Sequence, residues 1–277
     1  MSSRTEAYIP YLAAPVLALP FLFYLCYRAF KPAGKDAAAA RRWVLWTKIA
    51  VPLIMIGALF EMILTCVQLA SYYGSELRLA SRVGTVLQSH GVVALFLSLA
   101  DAAHWLAALR NNGVPVRNSG WARILAYVVA GTLSVFTFAV FGLWVDSFYR
   151  YGISNAYGDM YLSIISLTIQ SMLSAIGITM IGLGIALRFK TRDNAILVSA
   201  SKHLLAASVL FLVPFLWVIL TYIIQMTVMN WYNTRWVFTV QVFLYWLPLT
   251  ACLFTLNLLR ARCIGTEHSS KERSQSV

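Results

Sequence analysis

Charge is what this 277-residue chain has least of: Asp, Glu, Lys and Arg make up only 12% of it. A soluble domain of this length normally carries about a quarter charged residues, so a water-soluble globule is excluded as the default. Acids are scarcer than bases, ten against 22. Cysteine is sparse too. Cys26, Cys66, Cys252 and Cys263 offer no metal-type CxxC pair and no disulfide framework. Glycine-rich phosphate loops, zinc-type His/Glu motifs, Ser-His-Asp spacings and Asn-x-Ser/Thr sequons are absent. The excess of 12 positive charges suggests nucleic acid at first sight. The basic residues lie between apolar runs rather than in one patch, however. We read them as orienting the chain and touching the anionic headgroups of membrane lipids, with no nucleic-acid partner.

What is present is apolar: 60% of the residues are hydrophobic. Apolar runs near 9–27, 44–72, 83–109, 122–146, 160–188, 204–229 and 236–259 are each long enough to cross a hydrocarbon core of about 30 Å at about 1.5 Å per residue. The expectation is an all-α bundle of seven transmembrane helices. Residues 1–262 form one polytopic domain and 263–277 a polar, disordered tail. The first run lacks a cleavage site and reads as an uncleaved span. Cys263, beside Arg260 and Arg262, is a candidate for reversible acylation. Lys and Arg divide five to sixteen between the two sides of such a bundle, with Lys48 left just inside the second span. That bias places the N-terminus in the lumen or exterior and the C-terminus in the cytosol. The endoplasmic reticulum is the expected host for work on lipophilic molecules.

Polar residues inside the spans then acquire a depth. Glu61 falls in the outer half of span two, with Thr65 and Gln68 on its face. His90 lies at a similar depth in span three, while Asp101 and His104 approach the cytosolic end. At 100° per residue Asp101 is about 20° and His104 about 40° from His90, so the three form one stripe. Span four ends at Asp146, beside Trp144 and Arg150. Gln170, Ser174 and Gly177 mark span five. Trp217, Tyr222 and Gln225 sit in the outer half of span six, Gln241 and Tyr245 in that of span seven. Pro52, Pro214 and Pro248 can kink three spans and open a cavity. The expected picture is an outer pocket lined by aromatics and amides, with carboxylates at its wall.

A charge deep in lipid costs roughly 2.5–3.5 kcal/mol on insertion scales, so Glu61 is expected to face the interior and to hold its proton. Each of these groups also has a plain structural reading. Glu61 and His90 can tie helices together, Asp101 and His104 can anchor span three at the headgroups, and Asp146 can pair with Arg150 at the rim. The spacing of His90 and His104 also admits haem ligation, with His203 as a partner for His104. Retinal chemistry is excluded because the last span has no lysine, and the Asp-Arg-Tyr and Asn-Pro-x-x-Tyr motifs of rhodopsin-like receptors are missing.

In general character the chain resembles the small integral-membrane terpene cyclases of fungal meroterpenoid pathways. The shared features are length, seven spans, isolated intramembrane acids and many aromatics. One subgroup of these uses a Glu in span two and an Asp near the last span. Glu61 matches the first, and no acid stands in span seven. The resemblance implies cyclisation of a lipophilic, prenylated (farnesyl-aryl) small molecule, begun by protonating a terminal epoxide or alkene. Glu61 would donate, His90 would orient or relay, and Asp101 with His104 is the second candidate. Trp144, Trp217, Tyr222 and Tyr245 would stabilise the cation. Such a reaction needs no metal and no cofactor, and the chain has no DDxxD cluster. The rival expectation is a seven-span lipid exporter or receptor-like protein without catalysis. The charge bias makes a prediction of its own. A glycosylation acceptor fused ahead of Met1 should be modified in microsomes and one fused after Val277 should not, and the opposite pattern inverts the topology.

Overall fold

An apolar chain in lipid cannot leave its amides to water, so each apolar run is driven to pair its backbone within itself as a helix. The computed structural model describes residues 3–30, 41–69, 75–110, 119–151, 156–191, 195–227, 240 and 243–261, with some side chains near helix ends outside that set. They form α1 (Ser3–Phe30), α2 (Arg41–Leu69), α3 (Ser75–Arg110), α4 (Ser119–Tyr151), α5 (Ala156–Lys190), α6 (Ala195–Thr227) and α7 (Phe243–Ala261). No strand occurs among the described residues. Six helices, α2 to α7, are long and apolar enough to cross a membrane, and α1 carries a shorter apolar stretch, Pro15–Phe30. The chain is a multi-pass helical membrane protein.

The helices outrun the apolar runs that announce them. α3 begins at Ser75 and has 36 residues, about 54 Å, well beyond a hydrocarbon core. α6 begins at Ala195, so Ser199, Ser201, Lys202 and His203 are helical as well. Hydropathy marks where lipid touches the chain, whereas the hydrogen-bond ladder continues until a turn stops it. The last helix is described over Phe243–Ala261, residue 240 is helical as well, and residues 236–239 of the expected span and the tail 263–277 lie outside the described set. Pro52 and Pro214 are held inside continuous α2 and α6.

α3 is the axis of the bundle: 78% of its apolar window is buried, against 17% for α4. Its longest contact is with α2, and glycines make that contact close. A Cβ at Gly91 would come within 2.6 Å of Ile54 Cγ1, and one at Gly57 within 2.8 Å of Gln88 Cβ. Polar clasps add to the packing. Thr47 Oγ1 and Ser98 Oγ are 2.7 Å apart, and Ser98 donates to the Trp43 carbonyl at 3.0 Å. Cys252 Sγ donates to the Ala207 carbonyl at 3.2 Å, tying α7 to α6. Arg260 Nη1 caps the end of α1 by donating to the Ala29 carbonyl at 3.1 Å. That contact satisfies an orphan carbonyl and puts a cation at the negative end of the helix dipole. Outward faces carry large apolar side chains such as Phe21, Leu125, Val128 and Phe138, as a surface against acyl chains requires.

Close approach of α2 and α3 makes Gly91 sensitive. Gly91→Ala should cost about 1–3 kcal/mol by overpacking and lower the melting temperature in detergent. Gly131→Ala, where nothing lies within 4 Å, should be neutral or slightly stabilising. Equal melting temperatures for the two variants would show that the helices give way freely at Gly91.

Candidate functional site

Three polar centres occupy the bundle, and each is made by a different pair or group of helices. The first is Glu61 on α2. It is half-buried, and the indole of Trp246 on α7 hydrogen-bonds its carboxyl group. Trp246 is 1% exposed and its ring meets Tyr245 edge-on, with centroids 5.7 Å apart. Tyr245 lies within electrostatic range of Glu61. One turn along α2, Thr65 is buried and donates to the Glu61 carbonyl at 2.8 Å. The seam between α2 and α7 therefore holds one carboxyl group, one indole N–H and two aromatic faces.

The second centre is Asp101 on α3, only 6% exposed. Arg123 Nε lies 3.3 Å from Asp101 Oδ1 and the Tyr127 hydroxyl donates to Oδ2 at 3.3 Å. The arginine is in ionic contact but misaligned for a hydrogen bond from Nε. Both partners come from α4, one turn apart, so α4 presents a base and a phenol to α3 together. The expected pairing of Asp101 with His104 is replaced by this arrangement: His104 Nδ1 bonds the Ala100 carbonyl of its own helix at 2.7 Å. Likewise His90 Nδ1 bonds the Val86 carbonyl at 2.8 Å, and its ring stacks on Phe138 of α4 at 4.6 Å. His90 and Asp101 thus face α4, while Glu61 meets α7. His90 and Glu61 are not brought together.

The third centre is a cavity of about 400 Å³ among α3, α4, α5 and α6. That volume falls within the range of small-molecule sites. Its polar lining comes from Thr85, Ser89, Thr137, Ser166, Gln170 and Tyr222, its apolar lining from Val86, Val140, Phe141, Trp144 and Ile169. Arg82 completes it, with its guanidinium 5.3 Å from the centroid of the Trp144 ring. Among the described residues no carboxylate lines it. Trp144 and Tyr222 of the expected pocket are therefore here, whereas Glu61 and Tyr245 are at the α2–α7 seam and Asp101 is at the α3–α4 contact. Asp146 is exposed near the end of α4, two residues from Trp144. Trp217 is half-buried on α6. Gln68, Arg150, Gln225 and Gln241 have side chains outside the described residues.

Gln170 Oε1, which lines this cavity, is buried with no partner among the described residues, as are His90 Nε2, Ser174 Oγ and Trp217 Nε1 elsewhere on α3, α5 and α6. Leaving one such atom unpaired costs about 1–3 kcal/mol. No group of three or more His, Cys, Asp or Glu able to hold a metal occurs among the described residues. The sequence reading missed Trp246 and the pair Arg123–Tyr127. The pair carried a signal, a base and a phenol at i and i+4 on one helix. Trp246 carried none, being one of nine tryptophans in an aromatic-rich chain. The chain matches no known protein-family model and no curated protein.

Because Asp101 is buried and Arg123 is its cation, Arg123→Ala should lower stability by roughly 1–3 kcal/mol, a value reduced by the partial exposure of the arginine. Asp101→Asn combined with Arg123→Ala should recover part of that loss, since no buried charge is then stranded. A double variant that melts no higher than Arg123→Ala alone would mean that the pair is not coupled.

Proposed function

We propose that this is a seven-span protein, N-terminus lumenal or exterior and C-terminus cytosolic, that cyclises a prenylated lipophilic molecule by protonating it from Glu61. The endoplasmic reticulum is its proposed home. The observation that carries the reading is the α2–α7 seam: an intramembrane carboxyl group oriented by an indole N–H and flanked by aromatic faces. A carboxyl group that stays neutral in dry surroundings is a proton donor. Asp101 is less suited, because a cation and a phenol already hold it as an acceptor.

The proposed step balances without a cofactor. The Glu61 proton passes to the epoxide oxygen and the C–O bond opens to a carbocation, or the proton adds to the terminal alkene carbon. Neighbouring π bonds then close rings. The final cation loses a proton that returns to the Glu61 carboxylate, which restores the acid, and the net reaction is an isomerisation. As Glu61 becomes a carboxylate, the Trp246 N–H stabilises it, and the faces of Trp246 and Tyr245 stabilise positive charge developing nearby. Exclusion of water keeps the cation from being quenched.

A second reading, lipid export or lipid reception without catalysis, is favoured by one observation. The cavity among α3 to α6 is lined by hydroxyls, an amide and Arg82, has no acid among its described lining residues, and does not include Glu61. Feeding a heterologous host with epoxidised farnesyl-aryl compounds separates the two. The first reading expects mass-identical cyclic isomers that require the gene, and a fall of about 10²–10⁴-fold with Glu61→Gln at unchanged expression. Normal product from Glu61→Gln removes that residue as donor. No isomer from wild type, together with lipid sensitivity on deletion, selects the second reading.

A further inference from the structure

The cavity among α3 to α6 has chemistry of its own that proton transfer at Glu61 does not use. Gln170 lines it from α5, and its Oε1 is buried without a partner among the described residues. Ser174, one turn along the same face, is 5% exposed with Oγ equally unpartnered. Helix register brings Trp217 of α6 to the same height. Gly177 abuts Leu212 and Gly184 abuts Leu205, so the two helices run antiparallel. Stepping back from Gly177 through Ser174 to Gln170 therefore advances α6 from Leu212 past Phe215 and Trp217. Trp217 Nε1 is likewise buried and unpartnered at that height of α6, and of these three polar atoms it is Gln170 Oε1 that lines the cavity. Val86, Val140, Phe141 and Ile169 supply an apolar wall. α4, which closes one side, is the least buried of the span-length helices, so the cavity adjoins the acyl-chain region.

We infer that this cavity binds an uncharged lipid bearing a hydroxyl head, anchored by Gln170 and packed along the apolar wall. The hydroxyl matches the donors and acceptors on offer. It can donate to the Gln170 carbonyl oxygen and accept from an amide or indole N–H. An ether, a hydrocarbon or a carboxylate cannot donate to the Gln170 carbonyl oxygen, and Arg82 in the same wall is held over the Trp144 ring. The inference does not depend on catalysis at Glu61.

Two photoreactive probes with the same diazirine-bearing chain, one a primary alcohol and one its methyl ether, test it on the full chain in nanodiscs. The alcohol should label peptides of the cavity wall at least about tenfold more than the ether, and unlabelled alcohol should compete. Gln170→Leu should reduce alcohol labelling to the level of the ether and leave the ether unchanged. Val140→Trp, which fills the cavity, should remove both signals while elution profile and melting temperature report folding. Equal wild-type labelling by the two probes, or adducts confined to lipid-facing residues such as Phe138, overturns the inference and leaves water as the occupant. The wild-type comparison decides even if a variant does not fold. Glu61→Gln should label like wild type, so loss of cyclisation and loss of binding are read separately.

Discussion

A polar side chain inside an apolar bundle must find its partner in protein, because lipid and packed helices offer none. That constraint orders most of what is seen here. Threonine and serine hydroxyls return to the carbonyls one turn back on their own helices, as at Thr137, Thr179 and Ser208. Thr47 does so at the Trp43 carbonyl, and Ser98 of α3 donates across to that same carbonyl while meeting Thr47, clasping α2 to α3. Asp101 recruits a base and a phenol from the next helix. Arg260 spends its charge on the end of α1. Against this background the exceptions stand out. Among the unpartnered atoms, Gln170 Oε1 is the one that lines a cavity.

The same constraint separates the two acids. Asp101 is compensated by opposite charge and is held in place, which suits an anchor for the α3–α4 contact. Glu61 meets an indole and a phenol, groups that orient a carboxyl without supplying a counter-cation. Two intramembrane carboxyls in one chain thus have different surroundings.

Much of the fold was legible from periodicity and hydropathy alone. The helices fall where apolar runs of span length fall, and the stripe His90–Asp101–His104 shares a face because 11 and 14 residues are close to whole numbers of turns. The helix ends were less legible, since α3 and α6 begin in polar sequence that a hydropathy reading leaves outside the membrane. The site was legible only in pieces. Trp144 and Tyr222 do share a cavity, but Glu61 and Tyr245 meet elsewhere, and the wall is completed by Thr85, Ser89 and Ser166, small hydroxyl residues with no signal of their own.

Sequence by itself determined that the chain is a set of helices built for an apolar solvent, because too few charges are present for any other medium and unpaired amides cannot survive there. It also determined which side chains share a face of one helix, since 3.6 residues per turn is a property of the backbone. Only the tertiary structure decided which faces meet. Close approach at Gly57 and Gly91 sets how α2 lies on α3, and the rotation of each helix decides that Asp101 looks to Arg123, Glu61 to Trp246 and Gln170 into empty space. Those pairings depend on packing between segments far apart in the chain, and helices that are apolar all round carry no stripe from which to read it.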